Sequence, residues 1–212
     1  MSRRALIQYL ELIKQSGIRE LYRPRSDNAK LLEELSLRYA DCQKCPLANG
    51  RIKLVYGEGN PDADIMLIGE GPGEQENLSG RPFVGAAGQL LDKMLAAINI
   101  RREEIYIANI VKCRPPGNRN PNAEERLACM PYLIEQIGII RPKVLLIMGL
   151  VAAQSLLSDN ETLGWHREKT HDFMGIPAYV TYHPAALLRN DNWKRPAWED
   201  LQRFQKDYEQ MR

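Results

Sequence analysis

Four short apolar runs, each about as long as a buried β-strand, punctuate the chain at residues 65–68, 105–111, 144–148 and 178–182. After each run, apolar residues recur every three or four positions, as on one face of a helix, over residues 86–98, 122–137, 150–157 and 197–210. Strands that alternate with helices predict a parallel sheet covered by helices on both faces. We therefore predict an α/β fold, with three α/β/α layers around a central four-stranded parallel sheet.

Two further segments with helical periodicity precede the first strand, over residues 3–16 and 29–40. The stretch Tyr22-Arg23-Pro24-Arg25 between them breaks the pattern. These segments predict an N-terminal helical extension over residues 1–40, followed by a main domain over residues 41–212.

Composition narrows the class of protein. The 212 residues are 44% apolar and 26% charged, which excludes a collagen, a disordered chain and a disulfide-stapled miniprotein. The net charge of +2 still allows a local basic face for nucleic acid. No apolar run approaches the roughly 20 residues that span a bilayer, and the first residues lack the apolar core of a signal peptide. We expect a cytoplasmic protein without a membrane partner.

The chain contains four cysteines, Cys42, Cys45, Cys113 and Cys129. Disulfides are rare in a reducing compartment, so four thiols that include one C-x2-C pair indicate a metal site. Four thiolates suit an iron–sulfur cluster or a structural zinc ion, and their spacing does not distinguish the two.

The residues that follow the strands are the candidates for ligand binding, because ligands of parallel sheets bind at the carboxyl ends of the strands. Gly69-Glu70-Gly71-Pro72-Gly73 follows the first strand, Asn109 comes at the end of the second, and His183 follows the fourth. Glycines let the backbone approach a ligand, asparagine offers a donor and an acceptor side by side, and histidine can donate to a developing oxyanion. Each also has an ordinary explanation, as a tight turn, a turn asparagine or a helix-capping histidine.

Four segments taken together resemble the family 4 uracil-DNA glycosylases, the iron–sulfur branch of their superfamily. The segments are Gly69-Glu70-Gly71-Pro72-Gly73, Gly80-Arg81-Pro82-Phe83-Val84-Gly85-Ala86-Ala87-Gly88, Asn109-Ile110-Val111-Lys112-Cys113-Arg114-Pro115-Pro116 and His183-Pro184-Ala185-Ala186-Leu187-Leu188-Arg189. They occur in the family's order, with the cysteines interleaved, and the resemblance covers residues 41–212. It implies a [4Fe–4S] cluster on Cys42, Cys45, Cys113 and Cys129, and hydrolysis of the N-glycosidic bond of uracil in DNA.

The resemblance also implies how the base is handled after it is flipped out of the DNA stack. Phe83 is expected to stack on uracil. Asn109 is expected to pair with uracil N3–H and O4, which excludes cytosine. His183 is expected to stabilise the charge that develops on O2 of the leaving uracil anion.

The attacking water has no obvious general base in this branch. Gly71 stands where other branches of the superfamily carry an aspartate, and its turn is expected to contribute backbone amides to the charged leaving group. We expect the sugar to become a cation as the base leaves. We assign the stabilisation of that cation and the positioning of the water jointly to Glu70 and Glu76. Asn118 is expected to hold water or to form the pocket wall.

The DNA contacts follow from the last segment. Leu187, Leu188 and Arg189 resemble the loop that fills the hole left by the flipped base. Basic residues on either side are expected to form a DNA-binding face. They are Lys112, Arg114, Arg119, Lys194 and Arg195. We expect a monomer that acts on uracil-containing DNA and binds a replication or repair partner through its N-terminal extension.

Two alternatives compete with a monofunctional uracil-DNA glycosylase. A catalytically silent iron–sulfur DNA-binding module associated with replication would share the fold, but it has no need of Glu70, Phe83, Asn109 and His183, all of which are present. A relative that traps the abasic sugar on a histidine carries a histidine-containing loop after the second strand. Residues 116–121 contain no histidine, which counts against that alternative.

Overall fold

The computed structural model describes residues 27–211, and a six-stranded sheet forms its centre. The strands are β1 (Glu58–Gly59), β2 (Ile65–Gly69), β3 (Tyr106–Asn109), β4 (Val144–Met148), β5 (His171–Phe173) and β6 (Ile176–Thr181). Their order is β1-β3-β2-β4-β6-β5. The central β3, β2, β4 and β6 are mutually parallel, as predicted. The antiparallel edge strands β1 and β5 were not predicted, because two or three residues are too few to show a period.

Helices cover both faces of this sheet. They are α1 (Asn28–Tyr39), α2 (Glu74–Ser79), α3 (Ala86–Ala97), α4 (Ala123–Ile140), α5 (Leu150–Leu157), α6 (Leu163–Arg167), α7 (Pro184–Arg189) and α8 (Lys194–Met211). The five longer predicted helices within the described residues are confirmed as α1, α3, α4, α5 and α8. The predicted helix over residues 3–16 lies outside the described residues. The short α2, α6 and α7 have at most six residues each, too few to show helical periodicity.

The start of α4 follows directly from its sequence. Asn122 precedes the helix, and its side-chain oxygen accepts a hydrogen bond from Glu125 N at 2.9 Å. The Glu125 carboxylate accepts one from Asn122 N at 2.8 Å, which completes a capping box. Arg119 then pairs with the same carboxylate through two nitrogens, at 2.8 and 2.7 Å.

The hydrophobic core has two parts, one on each face of the sheet. All five residues of β2 are buried. Met66 and Ile68 pack in the cluster that α4 and α5 cover, whereas Ile65 and Leu67 pack in the cluster that α3 and α8 cover. Side chains of a strand alternate between faces, so two clusters on one strand establish the three-layer arrangement.

The second helix of the predicted N-terminal extension packs on this core. Leu32 and Leu35 of α1 are buried in the same cluster as Tyr132 and Leu133 of α4. Asn28 also donates a hydrogen bond to Pro61 O at 3.2 Å. Within residues 27–211, no helix combines the length and the apolar character needed to cross a membrane.

The sheet topology fixes where a ligand binds. From β2 the chain passes to β3 on one side, and it then crosses to β4 on the other side of β2. Gly69 pairs with Asn109, and Met148 pairs with Thr181, so the carboxyl ends of the parallel strands are level. Such a change of direction opens a crevice at the carboxyl edge of a sheet.

Candidate active site

A cleft opens at this carboxyl edge, and the segments that follow β2, β3 and β6 line it. Its walls include every residue predicted to act in catalysis or to bind the base: Glu70, Gly71, Glu76, Phe83, Asn109, Asn118 and His183. Arg189 also lines the cleft. The fold therefore brings together residues that are separated by more than 100 positions in the chain.

Asn109 lies at the bottom of the cleft, at the end of β3. The residue is 1% exposed, and its side-chain oxygen has no hydrogen-bond partner among residues 27–211. A buried acceptor without a partner costs about 1–3 kcal/mol, so this oxygen is available to a ligand. Gly69 lies opposite, and a side chain there would collide with Asn109 Oδ1 and with the Phe83 ring.

Phe83 is held in a backbone conformation that non-glycine residues rarely adopt, with φ of 51°. Arg102 donates from Nη1 to Phe83 O at 3.1 Å and from Nη2 to Pro82 O at 2.7 Å. A side chain at Gly88 would collide with Phe83 O, so only glycine fits there. Such strain persists where the surroundings over-determine it, which is typical of functional sites. Its result is a buried ring stacked beside the His183 ring, with centroids 5.4 Å apart.

His183 caps α7 and lines the cleft at the same time. Its Nδ1 accepts a hydrogen bond from Ala185 N at 3.1 Å, which places the ring proton on Nε2. Burial, and to a lesser degree the charge of Arg189, lowers the pKa of His183 to about 4. The ring is therefore neutral near pH 7 and carries one N–H donor that the cap does not use. The capping role and the predicted functional role are compatible.

The two candidate carboxylates differ in what they already bind. The Glu76 carboxylate accepts hydrogen bonds from the backbone of Gly73 at 3.1 Å, and from Val84 and Gly85 at 2.8 Å each. It joins the turn after β2 to the Phe83 loop. Glu70 is half-buried, and burial raises the pKa of its carboxyl despite the charges of Arg126 and Arg189. The structure therefore distinguishes the two carboxylates that were jointly assigned to the sugar cation and the water. The Glu76 carboxylate is occupied by backbone hydrogen bonds, whereas that of Glu70 remains available for chemistry.

Replacing Glu76 by alanine should destabilise the protein by about 3 kcal/mol, because it leaves three partly buried backbone N–H groups without their acceptor. Urea unfolding monitored by circular dichroism measures the change. Glu74→Ala is the matched control, since Glu74 is exposed and forms an ion pair with Arg114 at 3.6 Å. Equal stability of the two variants would contradict the structural role of Glu76.

Comparison with known proteins decides the family. The model of the Uracil DNA glycosylase superfamily matches residues 56–202. The chain belongs to this superfamily. A Type-4 uracil-DNA glycosylase of Pyrobaculum aerophilum is 43% identical over 184 residues, which are 82% of this chain and 92% of the relative. The Type-4 uracil-DNA glycosylase of Thermotoga maritima is 43% identical over 178 residues, 82% of this chain and 93% of the relative. A Type-5 enzyme of Pyrobaculum aerophilum is 30% identical over 149 residues, 62% of this chain. The two Type-4 relatives confirm the family 4 resemblance.

The four cysteines of this uracil-DNA glycosylase line a second cavity, together with apolar residues such as Leu47, Leu54 and Val111. Three sulfur atoms have hydrogen-bonding groups beside them. Lys112 N donates to Cys129 Sγ at 3.3 Å, Arg51 Nη1 donates to Cys113 Sγ at 3.6 Å, and the Tyr132 hydroxyl lies 2.8 Å from Cys42 Sγ. These groups suit sulfur atoms that carry negative charge.

Burial opposes ionisation of the inner two thiols. It raises the pKa of Cys113, and it raises that of Cys129 to about 11. A bound metal group would compensate, because metal binding deprotonates cysteine. Among residues 27–211, no three metal-binding side chains converge on a single ion. A [4Fe–4S] cluster instead takes one thiolate at each of its irons, so its ligands need only face one cavity.

The predicted DNA contacts require two corrections in this uracil-DNA glycosylase. Leu187 is 2% exposed and packs in the core that α3 and α8 cover, so it is not available to enter DNA. The segment is the helix α7, and the next position, Leu188, points outward with 50% exposed. Lys112 is fully buried and cannot belong to a surface basic face. Arg189 is exposed and lines the cleft, and its contact with DNA stays a prediction.

Several residues that shape the site were not predicted. Arg102 acts on Phe83 from 19 positions away, and no local pattern indicates such a contact. The hydrogen bond from Gly73 to Glu76 was predictable from the local sequence. Glu76 is the third residue of α2 after Gly73, which is the position of the acidic residue in a capping box. Asn118 lies at the exposed edge of the cleft, where its side-chain oxygen accepts from Arg114 Nε at 2.7 Å.

Proposed function

We propose that this protein flips uracil out of DNA and hydrolyses its N-glycosidic bond, leaving an abasic site for base excision repair. One observation carries the proposal: Phe83, Asn109, His183 and Glu70 line a single cleft at the carboxyl edge of the sheet. The relatives named Type-4 uracil-DNA glycosylases support the same activity.

We assign base recognition to Asn109 and Phe83. The Asn109 side-chain oxygen accepts from uracil N3–H, and its amide donates to O4. Cytosine has no hydrogen on N3 and has a donor in place of O4, so both contacts fail. The Phe83 ring stacks on the base, a contact worth about 1–3 kcal/mol.

His183 stabilises the leaving group in this proposal. As the bond between C1′ and N1 breaks, its electron pair moves into the uracil ring and charge accumulates on O2. The neutral His183 ring donates its Nε2–H to O2, and this contact strengthens only as charge develops. Amides of the turn around Gly71 support the same anion.

In this proposal Glu70 stabilises the positive charge on the sugar and accepts a proton from the attacking water. The C1′ centre becomes oxocarbenium-like when the base departs, and the nearby carboxylate stabilises that charge. A water molecule then adds its oxygen to C1′ and transfers a proton towards Glu70. Water is the nucleophile in this proposal, so neither a lysine amine nor a histidine nitrogen becomes attached to the sugar.

This assignment predicts the acid limb of the pH–rate profile. Glu70 must be ionised, and burial raises the pKa of its carboxyl. Excision should therefore slow as the pH falls through that raised pKa, while His183, with a pKa of about 4, titrates at lower pH. Glu70→Gln should lower the plateau by roughly 100-fold or more and abolish the limb.

Single-turnover rates between roughly pH 4.5 and pH 8 measure this effect. Glu74→Gln is the control, because Glu74 is exposed, and it should retain the wild-type profile. An unchanged acid limb in Glu70→Gln would remove Glu70 from the chemistry.

We propose that Cys42, Cys45, Cys113 and Cys129 hold a [4Fe–4S] cluster. A cluster held there would join the segments that carry Cys42, Cys45 and Cys113 to Cys129 in α4, and base excision requires no electron from it. Support comes from the single cavity that the four thiols line and from the groups that donate to their sulfur atoms. The purified protein should be brown and contain about four iron atoms per chain. Cys113→Ser should lose iron and unfold at a lower temperature. Zinc in place of iron would contradict the proposal.

One assay separates the enzyme from both alternatives. The protein is incubated with a uracil-containing oligonucleotide, and the product is divided between treatment with alkali and electrophoresis under protein-denaturing conditions. We expect strand scission in alkali and no covalent protein–DNA adduct on the denaturing gel. A silent DNA-binding module gives neither result, whereas a relative that traps the sugar gives an adduct.

We further propose that the glycosylase domain acts as a monomer in the cytoplasm, where reducing conditions keep its four cysteines out of disulfides. The N-terminal extension over residues 1–40 is proposed to bind a replication or repair protein. Leu37, which α1 exposes at 70%, supports a protein contact on that extension.

A further inference from the structure

Lys112 is a lysine without any exposed surface, which is unusual for a charged residue. Its ammonium nitrogen donates to the backbone oxygen of Asn109 at 2.9 Å and to Gln136 Oε1 at 2.6 Å. Gln136 is itself fully buried in α4, and its amide donates to Tyr56 O at 2.9 Å. The ammonium thus lies in a hydrogen-bonded network beneath the uracil cleft.

The same residue also contacts the cysteine cavity. Lys112 is adjacent to Cys113 in the chain, and its backbone N–H donates to Cys129 Sγ at 3.3 Å. Its carbonyl accepts from Val55 N at 2.9 Å. Lys112 is therefore held by its backbone at the cysteine cavity and by its side chain at the strand end that carries Asn109.

Packing alone does not explain a lysine at this position. A buried ammonium loses its hydration, and an apolar side chain of similar length is often at least as stable. The two partners of Lys112 instead define a specific geometry. The bond from Lys112 to Asn109 closes the turn that follows β3, where Ile110 N donates to Gly69 O and Val111 N donates to Glu70 O.

We propose that Lys112 is a positioning residue, which fixes the Asn109 backbone so that the Asn109 side chain meets the Watson–Crick edge of uracil. The inference rests on the proposed function, because it assigns to Asn109 the recognition of the base. Lys112 also connects the cysteine cavity to the cleft, because its backbone N–H donates a hydrogen bond to Cys129 Sγ and its side chain contacts Asn109.

A double-mutant cycle tests this inference. Lys112→Met should slow single-turnover excision by between about 10-fold and 100-fold, as expected when a recognition group is displaced by a fraction of an ångström. It should weaken inhibition by free uracil by a similar factor, while affinity for undamaged duplex DNA stays unchanged. In an Asn109→Ala background, the same substitution should slow excision by less than about twofold, because the group that Lys112 positions is already gone.

Tyr106→Phe is the matched control. It removes a hydroxyl to which Gln136 Nε2 donates at 3.3 Å, and so perturbs the same network without touching Lys112 or the Asn109 carbonyl. Its rate and its inhibition by uracil should match the wild type. If Lys112→Met does not fold, Gln136→Met removes one partner of the ammonium, keeps Lys112, and should show the same non-additive loss with Asn109→Ala.

The outcomes separate the two levels of the argument. A wild-type protein that releases no uracil, or an Asn109→Ala variant at full rate, contradicts the proposed function. If both behave as expected but Lys112→Met slows excision equally in both backgrounds, Lys112 does not act through Asn109 and the inference fails. It fails also if neither Lys112→Met nor Gln136→Met folds, because the network is then purely structural.

Discussion

His183→Ala should slow single-turnover uracil excision by roughly 100- to 1,000-fold, which corresponds to about 3–4 kcal/mol of lost transition-state stabilisation. The reason is that the Nε2–H donor meets O2 only as charge builds there, so its loss raises the barrier more than it weakens binding. Affinity for uracil-containing DNA should therefore stay within a few-fold of the wild type. Single-turnover kinetics and DNA binding, measured on the same variant, give both quantities.

The helix cap requires its own control, because His183 Nδ1 also accepts from Ala185 N. His183→Ala should lower stability by about 1 kcal/mol through loss of that cap. His183→Asn keeps a good capping oxygen but lacks the ring donor, so it should recover stability without recovering the rate. A folded His183→Ala protein with the wild-type rate would leave charge stabilisation to the Gly71 turn alone.

Asn109→Asp should reduce uracil excision by at least about 100-fold, because a site that hydrogen-bonds its substrate rejects a mismatched partner strongly. The carboxylate offers no donor to O4 and repels that oxygen. It can accept from the N4 amino group of cytosine, so weak release of cytosine should become detectable. Rates on matched uracil and cytosine oligonucleotides measure the change in selectivity.

Asn118→Asp provides the comparison for this variant. Asn118 also lines the cleft, but it is exposed and pairs with Arg114. Its substitution should change the uracil rate by only a few-fold. Unchanged uracil kinetics in Asn109→Asp would mean that Asn109 is only a turn residue.

The parallel centre of the fold follows from the sequence because each central strand is an apolar run of ordinary length. The strand β2, for example, is buried along its whole length. The cleft was predictable for the same reason, since parallel strands bring Asn109 and His183 to one edge without any knowledge of the loops. The edge strand β1 has only two residues and depends on its pairing with β3, which no local pattern reveals.

Side-chain roles were harder to predict where a distant partner decides them. The sequence around Lys112 is typical of an exposed basic residue. In the structure its ammonium is buried and donates a hydrogen bond to Gln136, 24 positions away. Leu187 and Leu188 are adjacent and chemically identical, and only the helical phase of α7 buries one and exposes the other. Glu70 and Glu76 are likewise both acidic residues that follow β2. They differ because backbone amides of the Phe83 loop donate hydrogen bonds to Glu76.

The most direct test of this account is the amount of free uracil released in one turnover. The purified protein, in excess, is mixed with a duplex that carries one uracil and with a matched duplex that carries cytosine, and the free bases are quantified by mass spectrometry. We predict one uracil per uracil-containing duplex, no cytosine, and a rate reduced roughly 100- to 1,000-fold in His183→Ala. A wild-type protein that binds the duplex but releases no uracil would contradict the central claim.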